Sequence, residues 1–454
     1  MPSSIESYLK RLLLAGIALS ATLGAMAADD FSAQLARGVA YRQQGHTTLA
    51  LDALNQARAK ALTPVERAMA LGELGVALQQ AHRLDEAEAP LRAAHAHFRG
   101  VERARYAIDL GNLALSRRQP DTALRYFREA MALGERDPQI AITAALNAAR
   151  LQAPAERAQL LAGLASRIAQ LPENAASARM SLNLGNQARS LGPTSARVAY
   201  EQLERARRLA LAAKETRLSV EAYDALAQLY EDQKRDADAL RLTRQGIAVA
   251  AEGRAAVGDL LIQLHWRQGR FARRLGDQAL ALAGYRAAVE QVESIRQDIP
   301  IEYEGNRSSF RETLEPIYLG LADLLLADAA KVSGAERDRA LRQVRAVVEL
   351  IKQSEMQDYL GERCSVLTPE ATAGGRTPEG VAVLYPIIFP DRLELLLETP
   401  QGLTRHTTQV TAEVLRKTAS EFSSLLRSEP KAKLPQAARL YDWLLRPLEG
   451  SMAS

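Results

Sequence analysis

The chain has 454 residues, 47% of them hydrophobic but only 5% aromatic, and its 58 Lys and Arg exceed its 54 Asp and Glu by 4. A nucleic-acid binder gathers its basic residues on one face with aromatics or Gly-rich loops among them; no such cluster is present here, which argues against nucleic acid as a partner. Ala, Leu, Arg, Glu and Gln dominate, a mixture of strong helix formers and small residues that favours one long helical solenoid over several ordinary domains.

The N-terminus reads as a targeting segment. Lys10 and Arg11 precede a short apolar run, Leu12 to Leu23, followed by Ala25-Met26-Ala27 with small residues where signal peptidase needs them. The run is shorter than the ~20 residues that span a bilayer, so a removed signal peptide is expected rather than an anchor. No Cys follows it for lipid attachment. The mature chain is expected to begin near Ala28, with no stable membrane anchor, and to be periplasmic or secreted. Cys364 is the single cysteine, so no intrachain disulfide can form, and it reads as an incidental thiol.

A repeat follows. Counting 12, 16 and 19 residues forward from Gly38 reaches Ala50, Leu54 and Ala57. The same steps from Gly75 reach Ala87, Leu91 and Ala94; from Gly111, Ala123, Phe127 and Ala130; from Gly269, Ala281, Tyr285 and Ala288. A small residue in a first helix lets a second approach closely, and the three later residues lie along one face of that second helix. Gly45 and Gly276, each seven residues after the key Gly, suit the turn between the helices. Weaker copies begin at Gly185, with two residues inserted at Gly192-Pro193, and at Ala227; Ile140 to Gln170 reads as another pair. About seven helix pairs are expected between residues 30 and 297.

This pattern resembles the tetratricopeptide (TPR) repeat, as in Gly38-Val39-Ala40-Tyr41 followed by Gly45 and Ala50-Leu51. Such an array implies a groove lined by the first helix of each pair and a protein or peptide ligand within it. Asn112 and Asn186 directly follow the key glycines Gly111 and Gly185, and Asn147 lies 35 residues after the first and 39 before the second. An asparagine amide can donate to a carbonyl and accept from an N–H of one extended peptide, and TPR proteins that hold extended peptides use such ladders. The competing reading is that each Asn packs or meets water within its helix. Arg42, Arg105 and Arg270 read as solvated charges near the same face. His46, His82, His95, His97, His265 and His406 form no ligand constellation, and no phosphate loop, zinc motif or serine nucleophile elbow appears. No cofactor or metal is expected.

Two longer helices are expected next, Ser308 to Ala327 and Ala335 to about Leu360, then a Gly- and Pro-bearing loop from Leu367 to Gly380. Val381 to Phe389, Leu393 to Leu397 and Leu403 to Val410 read as a three-strand meander. Helices from about Thr411 to Arg427 and from Pro435 to Leu445 follow. The fold class is thus mostly α, a TPR-like solenoid followed by a small α+β segment.

From about Gln343 to Leu448 the chain resembles the opening of the CHAT family of caspase-like peptidase domains. The likeness is carried by Leu384-Tyr385-Pro386-Ile387, Pro390-Asp391-Arg392-Leu393-Glu394-Leu395, Gly402-Leu403, Arg439-Leu440-Tyr441-Asp442-Trp443-Leu444 and Arg446-Pro447-Leu448, with a lead-in at Glu349 to Tyr359. The expected order is a signal peptide at 1–27, TPR-like repeats at 28–297, connecting helices at 298–366, a linker at 367–380 and a partial CHAT domain at 381–454. In this family the catalytic His and Cys lie downstream of the Arg-Pro-Leu element, whereas the sequence ends at Ser454. Neither Cys364 nor His406 stands where the family's catalytic residues do.

Cysteine peptidase chemistry needs a base within reach of the thiol and an oxyanion site. No residue of this sequence is therefore expected to be catalytic. Three readings remain: a peptide-binding scaffold, a caspase-like peptidase whose catalytic half lies elsewhere, and a meander that pairs with a partner's sheet. The last carries the expectation that Ile387 and Phe389 are exposed when no partner is present.

Overall fold

The computed structural model describes residues 30–253, 257–296, 303–304, 307–308, 314–360, 377–428 and 435–452. The expected signal peptide and Cys364 lie outside them. Two compact units divide the chain, Met1–Gly276 with Glu290–Pro300, and Asp277–Val289 with Ile301–Ser454.

The first unit is a TPR-like solenoid of helix pairs. In order these are α1 (30–44) with α2 (Thr47–Lys60), α3 (Pro64–Gln80) with α4 (Leu84–His97), and α5 (Gly100–Ser116) with α6 (Pro120–Leu133). Next come α7 (Pro138–Ala149) with α8 (Pro154–Ala169), α9 (Ala175–Arg189) with α10 (Ala196–Ala212), and α11 (Thr216–Asp232) with α12 (Asp236–Glu252). α13 (Gly258–Arg274) follows, and α14 (Gln278–Ile295) is divided between the units, with residues 278–289 in the second.

Local chemistry starts these helices. Thr63 accepts from the Glu66 N–H while the Glu66 carboxylate accepts from the Thr63 N–H, a reciprocal cap. Asn174 and Ser177 repeat the arrangement, and Pro64, Pro120, Pro138 and Pro154 sit in first turns where a missing N–H costs nothing. A left-handed turn falls seven residues after the key small residue at Gly45 (φ 84°), His82 (57°), Arg118 (58°), Gly192 (83°), Lys234 (58°) and Gly276 (83°), whereas Ala153 between α7 and α8 has φ −59°. Three of these turns therefore bear a side chain where glycine is preferred. After Gly192 the inserted residues form a short 3-10 turn, Pro193–Ser195.

The interlock within four of these pairs is steric. A Cβ on Gly38 would lie 2.6 Å from Leu54 Cγ, on Gly75 2.6 Å from Leu91 Cγ, and on Gly185 2.6 Å from Leu203 Cγ; on Gly111 it would strike the Phe127 ring. Leu54, Leu91, Phe127 and Leu203 are fully buried, as are the alanines flanking them in the template. Each such large side chain contributes about 1.5–3 kcal/mol by leaving water, and the absent Cβ is what admits it.

In the second unit, Tyr285 of α14 packs against Gly320 in the Glu315–Ala329 helix, which lies along the Gly334–Leu360 helix. The first of these helices starts later than the expected Ser308. Pro316 sits in its first turn, and Arg307–Ser308 instead pair antiparallel with Tyr303–Glu304, giving the short strands β2 and β1. β3 (Val383–Ile388), β4 (Leu393–Thr399) and β5 (Gly402–Thr408) form the expected antiparallel meander, with Pro386 opposite Leu395 and His406 on its other side.

Both faces of this sheet are covered. Leu393, Leu395 and Leu397 cluster with Val410, Leu415, Leu440, Trp443, Leu444 and Leu448 from the elements that follow the sheet. The opposite face carries Glu394, fully buried, which accepts from Arg392 Nε (2.7 Å), Arg405 Nε (2.9 Å) and Thr407 Oγ1 (2.9 Å). Arg392 also pairs with Asp323, and Arg405 donates to the Leu326 carbonyl at 2.8 Å, tying the sheet to the Glu315–Ala329 helix. The expectation that Ile387 and Phe389 are exposed is therefore corrected. They are 2% and 3% exposed, because helices of the same unit cover the face on which Ile387 lies and the Arg392 guanidinium sits over the Phe389 ring.

Candidate functional site

In the first unit, the residue directly after the key position is Val39, Val76, Asn112, Asn147, Asn186, Gln228 and Arg270 on α1, α3, α5, α7, α9, α11 and α13. All seven are half-buried, while the key residue before each is buried, so the column is a continuous semi-exposed line across successive helices. Its middle changes character. Asn112 and Asn147 line one hollow of about 470 Å³, together with Gln79, Leu115, Ser116 and Arg150. Asn186 occupies the same column position on α9 but is not among the lining residues. Its neighbour Gln187 instead donates to the Leu146 carbonyl at 2.9 Å, joining α9 to α7.

The side chains of Asn112, Asn147 and Asn186 make no hydrogen bond to other described residues; Ser116 Oγ donates to the Asn112 backbone carbonyl at 3.2 Å. Amides without protein partners on a half-buried line keep both a donor and an acceptor for a bound molecule.

On either side of the hollow, charges are spent within the protein. Arg42 pairs with Glu73 at 2.9 Å, and Arg105 with Glu102 at 3.3 Å. Arg270 pairs with Glu231 at 2.9 Å and lies over the Trp266 ring. Glu231 also holds Arg267 and Arg274, and Arg267 reaches Asp224 at 2.6 Å, to which Gln228 donates at 2.7 Å. Arg42 and Arg270 are thus half-buried and ion-paired, while Arg105 stays exposed to solvent beside Glu102, as read from the sequence. Asp109, one helical turn before Asn112, has no hydrogen-bond partner among the described residues. Burial first and the Glu73 carboxylate second push its pKa up to about 7, against the pull of Arg42.

Sequence reasoning named Asn112 and Asn147 but missed Gln79, Leu115, Ser116 and Arg150. A signal for three of these was present: Gln79 and Leu115 lie four residues after Gly75 and Gly111, and Arg150 three after Asn147, on the same helix face as the asparagines. In the second unit His406 stands on β5 with a ring nitrogen 3.2 Å from Ser451 Oγ. Among the described residues no group of three or more His, Cys, Asp or Glu could hold a metal, and no helix is long and apolar enough to cross a membrane.

No family model and no curated protein matches this sequence. Among solved structures it is similar to a Rap protein complexed with competence and sporulation factor, at 10% identity over 73% of this chain and 96% of that one, with a TM-score of 0.41. It is similar also to the apo form of RapI, at 12% identity over 59% and 99% of the two chains with a TM-score of 0.40. A third likeness is to a tetratricopeptide repeat protein from Parabacteroides merdae, at 14% identity over 60% and 97%, with a TM-score of 0.33.

Proposed function

We propose that this protein is an exported scaffold that holds an extended peptide, or an extended segment of a partner protein, along the column that includes Asn112, Asn147 and Asn186. The observation that supports this most directly is the hollow lined by Asn112 and Asn147, whose amides have no partner among the described residues, while Arg42 and Arg270 of the same column region are ion-paired. Two amides on adjacent repeats would grip the backbone of a strand-like segment and so provide affinity without dictating its sequence. The test is peptide capture by the full chain compared with the Asn112→Ala, Asn147→Ala and Asn186→Ala variants, singly and together. A stepwise loss is expected; unchanged capture by the triple variant would remove the ladder.

A second reading concerns the C-terminal segment: it is the opening of a caspase-like CHAT domain whose catalytic half lies outside this sequence. What favours it is that several residues carrying the resemblance, Leu384, Leu393, Leu395, Leu440, Trp443, Leu444 and Leu448, pack into one cluster. The check is the coding sequence after Ser454 and in the adjacent gene, where a strand–His and strand–Cys pattern is expected. On both readings the leader is removed, which N-terminal sequencing of the exported protein would show as a start near Ala28.

A further inference from the structure

We infer that the hollow between α3, α5 and α7 selects a peptide carrying an acidic side chain, and that Arg150 is the residue that reads it. The inference rests on the peptide-holding role just proposed and adds the ligand's chemistry. Arg150 lines the hollow, is exposed, and has no hydrogen bond or ion pair from its side chain among the described residues. Counting four residues past the key position gives Arg42, Gln79, Leu115, Arg150, Arg189 and Glu231 on the first six odd-numbered helices. Arg42 is held by Glu73, Arg189 by Asp232 at 2.8 Å, and Glu231 by three arginines. Arg150 alone of these charged residues keeps its guanidinium for something else.

None of the six lining residues is acidic, so the hollow carries one positive charge beside the neutral amides of Gln79, Asn112 and Asn147. A guanidinium is a planar fork of donors that matches a carboxylate in two parallel hydrogen bonds. The hollow lies at the second to fourth of seven helices in the column, and the half-buried line continues on both sides. A segment following that line passes through the hollow rather than ending in it. The carboxylate is therefore assigned to an Asp or Glu side chain and not to a chain terminus.

The test uses the full chain and a displayed library of random dodecapeptides, followed by synthetic versions of the selected sequences. The wild-type protein should enrich peptides with Asp or Glu at one fixed position. Arg150→Ala should still enrich peptides but without that preference, and should bind the selected acidic peptide roughly three- to tenfold more weakly. Changing the acidic residue of the peptide to its amide should weaken wild-type binding by the same factor and leave the variant's binding unchanged. Arg150→Glu should move the preference to Lys or Arg, which guards against a variant that has merely lost structure.

Enrichment by the wild type without acidic preference, or an acidic preference that survives Arg150→Ala, overturns the inference and leaves the groove reading standing. So does binding that is lost on amidating the peptide's C-terminus while the side-chain change has no effect. Enrichment no greater than that of the Asn112→Ala/Asn147→Ala double variant overturns the groove reading and this inference with it.

Discussion

Gly75 and Leu91 are sixteen residues apart and in such close contact that a Cβ on the glycine would lie 2.6 Å from Leu91 Cγ and 3.1 Å from its backbone N. Leu91 is fully buried and cannot swing away without opening a void between α3 and α4. Gly75→Ala should therefore destabilise the first unit by about 1–3 kcal/mol through overpacking, despite alanine's better helix propensity. Urea unfolding followed by circular dichroism would show it. A variant as stable as the parent would mean that the close approach does not hold the pair.

That interlock was legible in the sequence, because the clear copies solve the same local problem: one small residue, then a bulky one sixteen steps on. Ala50, Ala57, Ala87, Ala94, Ala123 and Ala130 all fall at zero exposure where the template put them. The partners of Arg42 and Arg270 were not legible, since Glu73 and Glu231 lie 31 and 39 residues away and only repeat stacking brings them together. The lining role of Arg150 was within reach but required counting beyond the asparagine column. The burial of Ile387 and Phe389 also had a signal, because Leu396 places an apolar residue on the side of β4 opposite Leu393, Leu395 and Leu397, as in sheets covered on both faces.

Lys234 supplies a prediction of the opposite sign. It takes a left-handed φ of 58° at the turn between α11 and α12, where Gly45 and Gly276 occupy the equivalent turns. The residue is exposed, so little packing depends on its side chain. Lys234→Gly should relieve about 1 kcal/mol of backbone strain, reduced by the larger entropy that glycine gives the unfolded chain. A small rise in the urea midpoint of the first unit is the expected result, and a fall would show that the turn tolerates lysine without strain.

Glu394 concerns the second unit alone. Burial works to raise its pKa, but hydrogen bonds from Arg405, Arg392 and Thr407 outweigh it and leave the carboxyl below its ordinary value. Glu394→Gln keeps the shape while stripping Arg392 and Arg405 of a shared buried charge, and should cost about 3–5 kcal/mol. Amide exchange in β4 and β5 should quicken sharply while the helices α3 to α9 keep their protection. Unaltered exchange in the sheet would show that Asp323 and the Leu326 carbonyl suffice to hold the two arginines.

Asp109 bears on the candidate site itself. Its carboxyl is pushed up to about 7, above its ordinary value of 3.8, so the folded protein holds this proton more tightly than the unfolded chain does. For an acid shifted upward, the stability it confers is complete below the unfolded pKa and is lost as pH rises from 3.8 through about 7. Asp109→Asn removes the ionisation and keeps the size. It should leave stability unchanged below about pH 4, gain on the wild type across the window, and stand about 1–3 kcal/mol above it at pH 8. Parallel urea titrations of both proteins from pH 4 to 8 would measure this. A difference independent of pH would mean that the carboxyl ionises freely beside Glu73, with water reaching it one turn from Asn112. Because the proton is exchanged at the same helix face as the asparagine column, the wild type should also soften there first as pH rises. Faster amide exchange in α5 at pH 8 than at pH 6, after correction for intrinsic rates and absent in Asp109→Asn, is the matching local sign.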